Sequence, residues 1–338
     1  MTDQMALEPR GPMLVYLDHS ILNQIQKGRS KLVEVFATNN MQVVYSDANL
    51  DEISRSVGKE QEFLSLLEAL SAQYLRLVLD DQRRYTDHAV IENVVPTAAY
   101  DAYLINQRDS PIGDFGLSDL LQKLYGGHAN MTFGEIAQSG QQDFDRLLDT
   151  LAHELASHQI PPEIDTDVFL QALPDIKRAF SAMSAEMGRM FDADTPRNQV
   201  QAIDAELGVG PKDLNNLEGP GILKQIWDRI IPKIPEGAIT FDEFFGLVHP
   251  RWVTDDRPIT KLEQINSAYH QLNFLGYWRD ENMNQERRLK GHLKDITHVG
   301  MASFCNVFLS GDERQVKKAQ AVYEHLGIGT YAHHIPPA

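Results

Sequence analysis

The sequence predicts an α/β fold, a parallel sheet with flanking helices that a large, mainly α-helical insertion interrupts. Three observations carry that prediction. Short apolar runs at Met13–Leu17, Met41–Tyr45 and 75–79 have strand length, and helix-length segments lie between them. Such alternation implies parallel βαβ units with right-handed crossovers. The alternation stops near residue 80 and returns only near residue 295, in a chain of 338 residues that is long enough for more than one domain.

The first run reads as a buried strand because it is short and wholly apolar. A helix follows at 21–37, with apolar residues at 21, 22, 25, 32, 33 and 36. After the strand at 41–45, residues 49–74 read as a helix, because Leu50, Ile53, Val57, Phe63, Leu64, Leu67 and Leu70 recur near a 3.6-residue period. The third strand is 75–79. Beyond it the segments 117–125, 141–157, 168–190, 221–230 and 259–274 are patterned as helices. Proline- and glycine-rich breaks at 159–162, 208–211, 219–221 and 231–237 separate them. The α/β pattern resumes with a helix at 295–303, a strand at 304–309, a helix at 312–326 and a fifth strand at 328–331; residues 333–338 read as a loose tail. The expected organisation is a discontinuous domain, 13–80 with 291–332, and an inserted helical domain, 81–290.

Composition narrows the class. Hydrophobic content of 42% with 23% charged residues is that of a soluble globular protein. No apolar run approaches the roughly 18 residues of a membrane span, and the acidic first twelve residues lack the pattern of a secretion signal. The single cysteine, Cys305, excludes an internal disulfide and fits a reducing cytoplasm. It lies in an apolar run and reads as a buried, inert thiol. The net charge of −17 is uneven. Residues 1–80 hold 11 acidic and 7 basic side chains, and 281–338 hold 6 and 7, so the middle carries a net −14.

Four acids fall where strands should end or helices begin: Asp18, Glu52, Asp295 and Asp312. In an open parallel sheet the carboxyl ends of the strands share one edge, where ligands bind. Carboxylates that converge there repel one another unless a cation lies between them. A hard ion such as Mg²⁺ or Mn²⁺ takes oxygen ligands of this kind, and the chemistry that follows is metal-assisted phosphodiester hydrolysis. The competing reading is that such aspartates are ordinary helix caps, and Asp312 fits a cap well. Asp51 and Asp47 are rivals of Glu52, Asp47 as a cap.

The order strand–Asp18–His19–Ser20, then Ser46 with Glu52–Ile53, then Asp295–Ile296–Thr297–His298 with Ala302, then Leu309–Ser310–Gly311–Asp312 resembles the PIN-like domain nucleases. The stretches 14–22, 43–55, 295–302 and 307–319 carry the resemblance and leave the middle of the chain unmatched. The resemblance implies a compact α/β domain whose acidic cluster, Asp18, Glu52, Asp295 and Asp312, binds one or two divalent ions and cuts RNA, less often DNA, leaving 5′-phosphate and 3′-hydroxyl ends. An insertion this large departs from the minimal family member.

Further residues have subsidiary roles. Ser20 and Ser310 can support a carboxylate or a ligand water by hydrogen bonding, or Ser20 can cap a helix and Ser310 serve the turn. His298 lies one helical turn after Asp295 and can face the site, whereas His19 points to the other face. Arg287, Arg288, Lys290, Lys294, Lys317 and Lys318 flank the proposed site and can hold phosphates, or can be solvated helix charges. The stretch His153 to His158 spaces its histidines by five, not the four a zinc helix needs. Residues 207–212 read as a turn rather than a phosphate-binding loop. A haloacid-dehalogenase-like phosphatase needs Asp–x–Asp after the first strand, where this chain has Asp18–His19–Ser20.

The expectation is therefore a divalent-metal-dependent nuclease of the cytoplasm, with RNA as the preferred substrate and no membrane association. The alternative is a catalytically silent scaffold that binds a protein partner, or a second copy, through the insertion. The acidic insertion is a poor nucleic-acid surface and is expected to restrain the nuclease or dock that partner.

Overall fold

The computed structural model describes residues 11–28, 30–82, 84–108, 117–157, 166–192, 199–249, 251 and 257–337. Apolar side chains alternate along the first strand, β1 (Met13–Leu17). Val15 and Leu17 enter one core and Tyr16 the opposite face. Side chains of successive strand residues point to opposite faces, so a strand covered on both sides reads as an unbroken apolar run. The chain continues through α1 (His19–Gln26), α2 (Ser30–Thr38), β2 (Met41–Tyr45), α3 (Asp47–Ser54), α4 (Glu60–Ala69), β3 (Gln73–Leu79), β4 (Tyr85–Glu92) and α5 (Pro96–Arg108). Four helices follow, α6 (Leu117–Leu124), α7 (Phe133–Ser157), α8 (Thr166–Asp192) and α9 (Gln199–Leu207). The remaining elements are α10 (Pro211–Leu214), α11 (Ile222–Ile230), α12 (Phe241–Phe244), α13 (Lys261–Leu275), α14 (Glu286–Ala302), β5 (Val307–Ser310), α15 (Glu313–Leu326) and β6 (Tyr331–His334).

The fold is α/β. Its six strands run in the order β4-β3-β2-β1-β5-β6. All neighbours are parallel except β3 and β4. From β1 the chain winds first through β2 and β3, then returns to the other side of β1 for β5 and β6. The order reverses between β1 and β5, and such a switch point opens a crevice at the carboxyl ends of the strands. One face of the sheet is covered by α1 to α5, around Ile21, Leu22, Phe36, Leu50, Phe63 and Leu67. On the other face Tyr16 lies against Phe308 and against His298 of α14.

Two compact units divide the chain: Met1–Ile105 with Val209–Arg279 and Leu293–Ala338, and Asn106–Gly208 with Asp280–His292. The second contains the α7–α8 hairpin, where Phe144 stacks on Phe180 and Lys177 pairs with Asp149. This division differs from an insertion spanning 81–290. Residues 209–279 belong with the sheet because α11 and α13 pack on α15. The backbone N–H of Gly221 donates to the Glu324 carboxylate, and Lys318 Nζ donates to Asn273 Oδ1 at 3.0 Å.

Other elements correct the sequence reading. The helix expected at 21–37 is two helices, broken at Gly28, whose φ of +104° is open only to glycine at little cost. The segment 49–74 splits into α3 and α4, and β3 begins at Gln73. Strand β4 lies inside the stretch read as helical. It is an antiparallel edge strand, and edge strands carry the charged and polar residues that hide strand periodicity. The tail is not loose from 333, since β6 pairs Leu309 with His333 and Ser310 with His334. Helices α5, α9, α10 and α12 had no sequence counterpart. His158 lies outside the described residues. Cys305 is buried, and burial pushes its thiol up to about 12. Among the described residues no helix is long and apolar enough to cross a membrane.

Asn49 ties the fold to the crevice. It is fully buried on α3; its Nδ2 donates to the Leu17 carbonyl at 2.9 Å and its Oδ1 accepts from the Ser46 amide at 3.0 Å. Asn49→Ala leaves both partners buried and unpaired, so it should cost about 1–3 kcal/mol in a urea unfolding titration. A loss within experimental error would show that the tie between α3 and β1 lies elsewhere.

Candidate metal centre

Asp18 follows the last residue of β1 and sits in the crevice between β1 and β5. It occupies the cap position of α1, yet its side chain makes no capping hydrogen bond. The carboxylate is held by hydroxyls instead. Ser20 Oγ lies 2.6 Å and Ser310 Oγ 2.9 Å from its Oδ2. Ser20 is fixed in turn by the Gly311 amide at 2.8 Å. A Cβ on Gly311 would stand 2.9 Å from that serine oxygen, so only glycine allows this approach. With Oδ2 engaged, Oδ1 is the oxygen nearer His298, 4.0 Å from its Nε2.

Glu52 comes from the second turn of α3. That helix starts at Ser46, whose side chain accepts the Ala48 amide while Asn49 reciprocates. Ser46, not Asp47, is therefore the cap. Asp47 accepts from the Tyr74 hydroxyl. Asp51 is turned away as well, since it meets Lys294, Arg55 and the Tyr103 hydroxyl. Glu52 Oε2 lies 2.9 Å from His298 Nε2.

His298 projects from α14 and is fully buried. Its Nδ1 lies 3.0 Å from the Tyr16 hydroxyl, which is 2.7 Å from Ser46 Oγ. Burial disfavours the imidazolium, but the hydrogen bond and charge of Glu52, with Asp18 adding, raise the histidine pKa overall. Burial likewise acts to raise Glu52, and His298, His19 and Lys294 together bring it below the usual carboxylate range. Burial pushes the Tyr16 phenol well above its ordinary value. His19 packs against the Phe63 ring at a tilt of 46°, its Nδ1 is buried without a hydrogen-bond partner, and burial lowers its pKa.

One oxygen each from Asp18 and Glu52 and one nitrogen of His298 lie within 4.8 Å of one another, the only such group of three among the described residues. Two carboxylates and an imidazole are a donor set that divalent transition metals accept. The structure thus brings together two of the four acids expected. Asp312 accepts the amide hydrogens of Arg314 at 2.8 Å and Gln315 at 3.2 Å on its Oδ1, which caps α15, and it is not in the group. Asp295 lies one turn before His298 and is not in the group; its carbonyl accepts from Gln315 Nε2.

The basic residues separate in the same way. Lys294 approaches the cluster, and its charge acts on both Glu52 and His298. Lys318 is completely buried, 4.7 Å from the Tyr269 ring, and cannot meet a phosphate. Lys317 lies over the Trp278 ring. Arg287, Arg288 and Lys290 belong to the second unit, where Lys290 pairs with Glu286. Sequence reasoning missed Tyr16 and Ser46 as supports and underrated His298. The available signal was that Tyr16 lies two residues before Asp18 on the same strand face. Comparison with known protein families, with curated proteins and with solved structures found no match to the chain.

Two outcomes follow. Asn caps a helix as well as Asp does, so Asp312→Asn should leave stability and cation response unchanged, while Asp312→Ala should cost about 1 kcal/mol in thermal or urea unfolding. An Asp312→Asn variant that loses its response to Mn²⁺ would return this residue to the metal set. In EDTA, the raised histidine contributes stability that is full below 6.5 and is lost as pH rises through its folded value. The depressed Glu52 contributes above 4.5 and is lost as pH falls through its folded value. Urea midpoints of the metal-free protein should therefore fall from about pH 6.5 upward, and the gap between wild type and His298→Gln should narrow with them. A gap that widens in alkali would contradict the pairing.

Proposed function

We propose that the protein is a divalent-metal-dependent phosphodiesterase acting on nucleic acid, RNA in preference to DNA. The observation that carries this is the convergence of Asp18, Glu52 and His298 at the carboxyl edge of a parallel sheet, at its switch point. Asp18, Glu52 and His298 would hold the cation. When bound, the ion polarises the phosphoryl oxygens and makes water a nucleophile near neutral pH.

The chain's own residues do the rest. Ser20 and Ser310 fix the Asp18 carboxylate so that one oxygen stays available. Tyr16 and Ser46 hold the His298 ring from behind. Lys294, about one-fifth exposed, can receive a phosphate by exchanging its contact with Asp51. The acidity of the chain lies largely elsewhere. The second unit contains 20 acidic against 10 basic residues, a net −10 of the −17, and phosphate would avoid it. The resemblance to PIN-like nucleases in residues 14–22, 43–55, 295–302 and 307–319 points the same way, and Cys305 suits a cytoplasmic setting.

A second reading is favoured by one observation. The His298–Glu52 hydrogen bond gives that carboxylate a buried partner without any metal ion. A scaffold that binds a protein partner through the acidic second unit would have the same core.

Two measurements separate these readings. Millimolar Mn²⁺ should raise the melting temperature of the wild type, because a ligand of the native state stabilises it by mass action, and Asp18→Asn should abolish the gain. With labelled single- and double-stranded RNA and DNA, cleavage should require Mn²⁺ or Mg²⁺ and stop with EDTA. Asp18→Asn should lower kcat/KM by about 100-fold or more, the scale seen when one preorganised charge-stabilising contact is removed. A melting temperature indifferent to Mn²⁺, with no cleavage of any substrate, would leave the scaffold.

A further inference from the structure

The crevice contains a donor that an oxygen-only magnesium site does not have. We propose that His298 coordinates the cation directly through Nε2. In that case Asp18, Glu52 and His298 form a mixed imidazole–carboxylate centre that selects Mn²⁺, Fe²⁺ or Zn²⁺ over Mg²⁺ and Ca²⁺. Tyr16 is its positioning residue. The inference rests on reading the crevice as a metal centre, and it names the metal class and the ligating ring atom that reading leaves open.

Geometry supports it first. His298 Nε2 is 2.9 Å from Glu52 Oε2 and 4.0 Å from Asp18 Oδ1, so the same ring atom faces both carboxylates. The ring has no freedom to turn away, because His298 is fully buried and its Nδ1 is held by Tyr16 at 3.0 Å. Ligating histidines commonly have the far nitrogen engaged by a neighbouring acceptor or water, which fixes the ring and the tautomer. Here the Tyr16 oxygen can accept from Nδ1–H while its own hydrogen goes to Ser46 Oγ at 2.7 Å. In the metal-free protein Nε2 donates its proton to Glu52, and an ion entering the crevice displaces that proton to solvent and takes the Nε2 lone pair. Tyr16 is itself fully buried and packed against Phe308, so it is a rigid support.

Chemistry selects the ion. Two carboxylates and a neutral imidazole carry the charge that balances a divalent cation. Mg²⁺ demands near-octahedral oxygen coordination and keeps its waters, whereas imidazole suits Zn, Fe and other first-row ions. Side-chain exposure runs from 0% at His298 through 9% at Asp18 to 23% at Glu52, so the nitrogen ligand forms the floor of the site and Glu52 its open rim. Substrate would approach over Glu52.

The test needs no turnover. Wild-type protein loaded with Mn²⁺ should show, by pulsed electron paramagnetic resonance, the ¹⁴N modulation of a directly bound imidazole. His19→Gln should keep that signal and His298→Gln should lose it. Tyr16→Phe should keep the signal while weakening Mn²⁺ affinity about 10-fold in a binding titration, the scale of losing a supporting contact. Mg²⁺ should bind at least about 10-fold more weakly than Mn²⁺ to the wild type. Mn²⁺ bound without ¹⁴N coupling, or with coupling that survives His298→Gln, would overturn the inference and leave a carboxylate metal site standing. No Mn²⁺ binding at all would overturn the metal reading itself. Because the first measurement uses unaltered protein, poor folding of the His298 variant would not shield the proposal.

Discussion

The contact on which this molecule turns is the hydrogen bond between His298 and Glu52, residues 246 positions apart in sequence. It joins α14, which enters late in the chain, to α3, which follows β2. A buried imidazole and a largely buried carboxylate would each be costly alone, and each is tolerated because the other is there. Beneath them the Tyr16 hydroxyl links the imidazole to Ser46, and Ser46 also caps α3. Asn49 then binds α3 back to the end of β1. The same few side chains therefore start a helix, fix its distance from the sheet and orient the candidate ligands. In such networks the loss of one member leaves several buried groups unpaired.

Carboxylates of similar sequence setting have different work here, and local hydrogen bonding decides which. Asp18 and Asp312 both stand at the start of a helix after a strand. Asp312 satisfies the free amides of its own helix, which is what a capping side chain ordinarily does. Asp18 declines that role because Ser20 and Ser310 supply hydroxyl donors to it. Adjacent Asp51 and Glu52 divide similarly. One turns to Lys294, Arg55 and Tyr103, the other to His298. Successive helical residues lie about 100° apart, so only one of two neighbours can face the crevice.

The basic residues show the same dependence on context. A run of lysines on α15 looks like a phosphate-binding face, yet one member is sealed between α13 and α15. Its charge is met by an amide oxygen and the Tyr269 ring. This packing also explains why 209–279 belongs with the sheet. A segment that buries a lysine against the sheet unit is part of that unit's structure, whatever its place in the sequence.

Much was legible in the sequence. Three apolar runs gave β1, β2 and β3, glycine and proline marked most of the breaks, and Asp18, Glu52 and His298 were all noticed by position. These features are local, and local chemistry specifies them: strand burial, helix periodicity and the residues that end an element. What escaped was set by long-range pairing. Edge strand β4 has no counterpart in the sequence reading, and β6 runs over Tyr331–His334 rather than 328–331, because the polar residues of an edge strand do not announce where a neighbour will pair with them. The ranking of the four acids also escaped, because a cap and a ligand have the same residue type at the same kind of position. The sequence alone determined an α/β sheet with acidic residues at its carboxyl edge. The tertiary structure decided which of those acids remain available, because availability depends on hydroxyls, amides and an imidazole that arrive from distant parts of the chain.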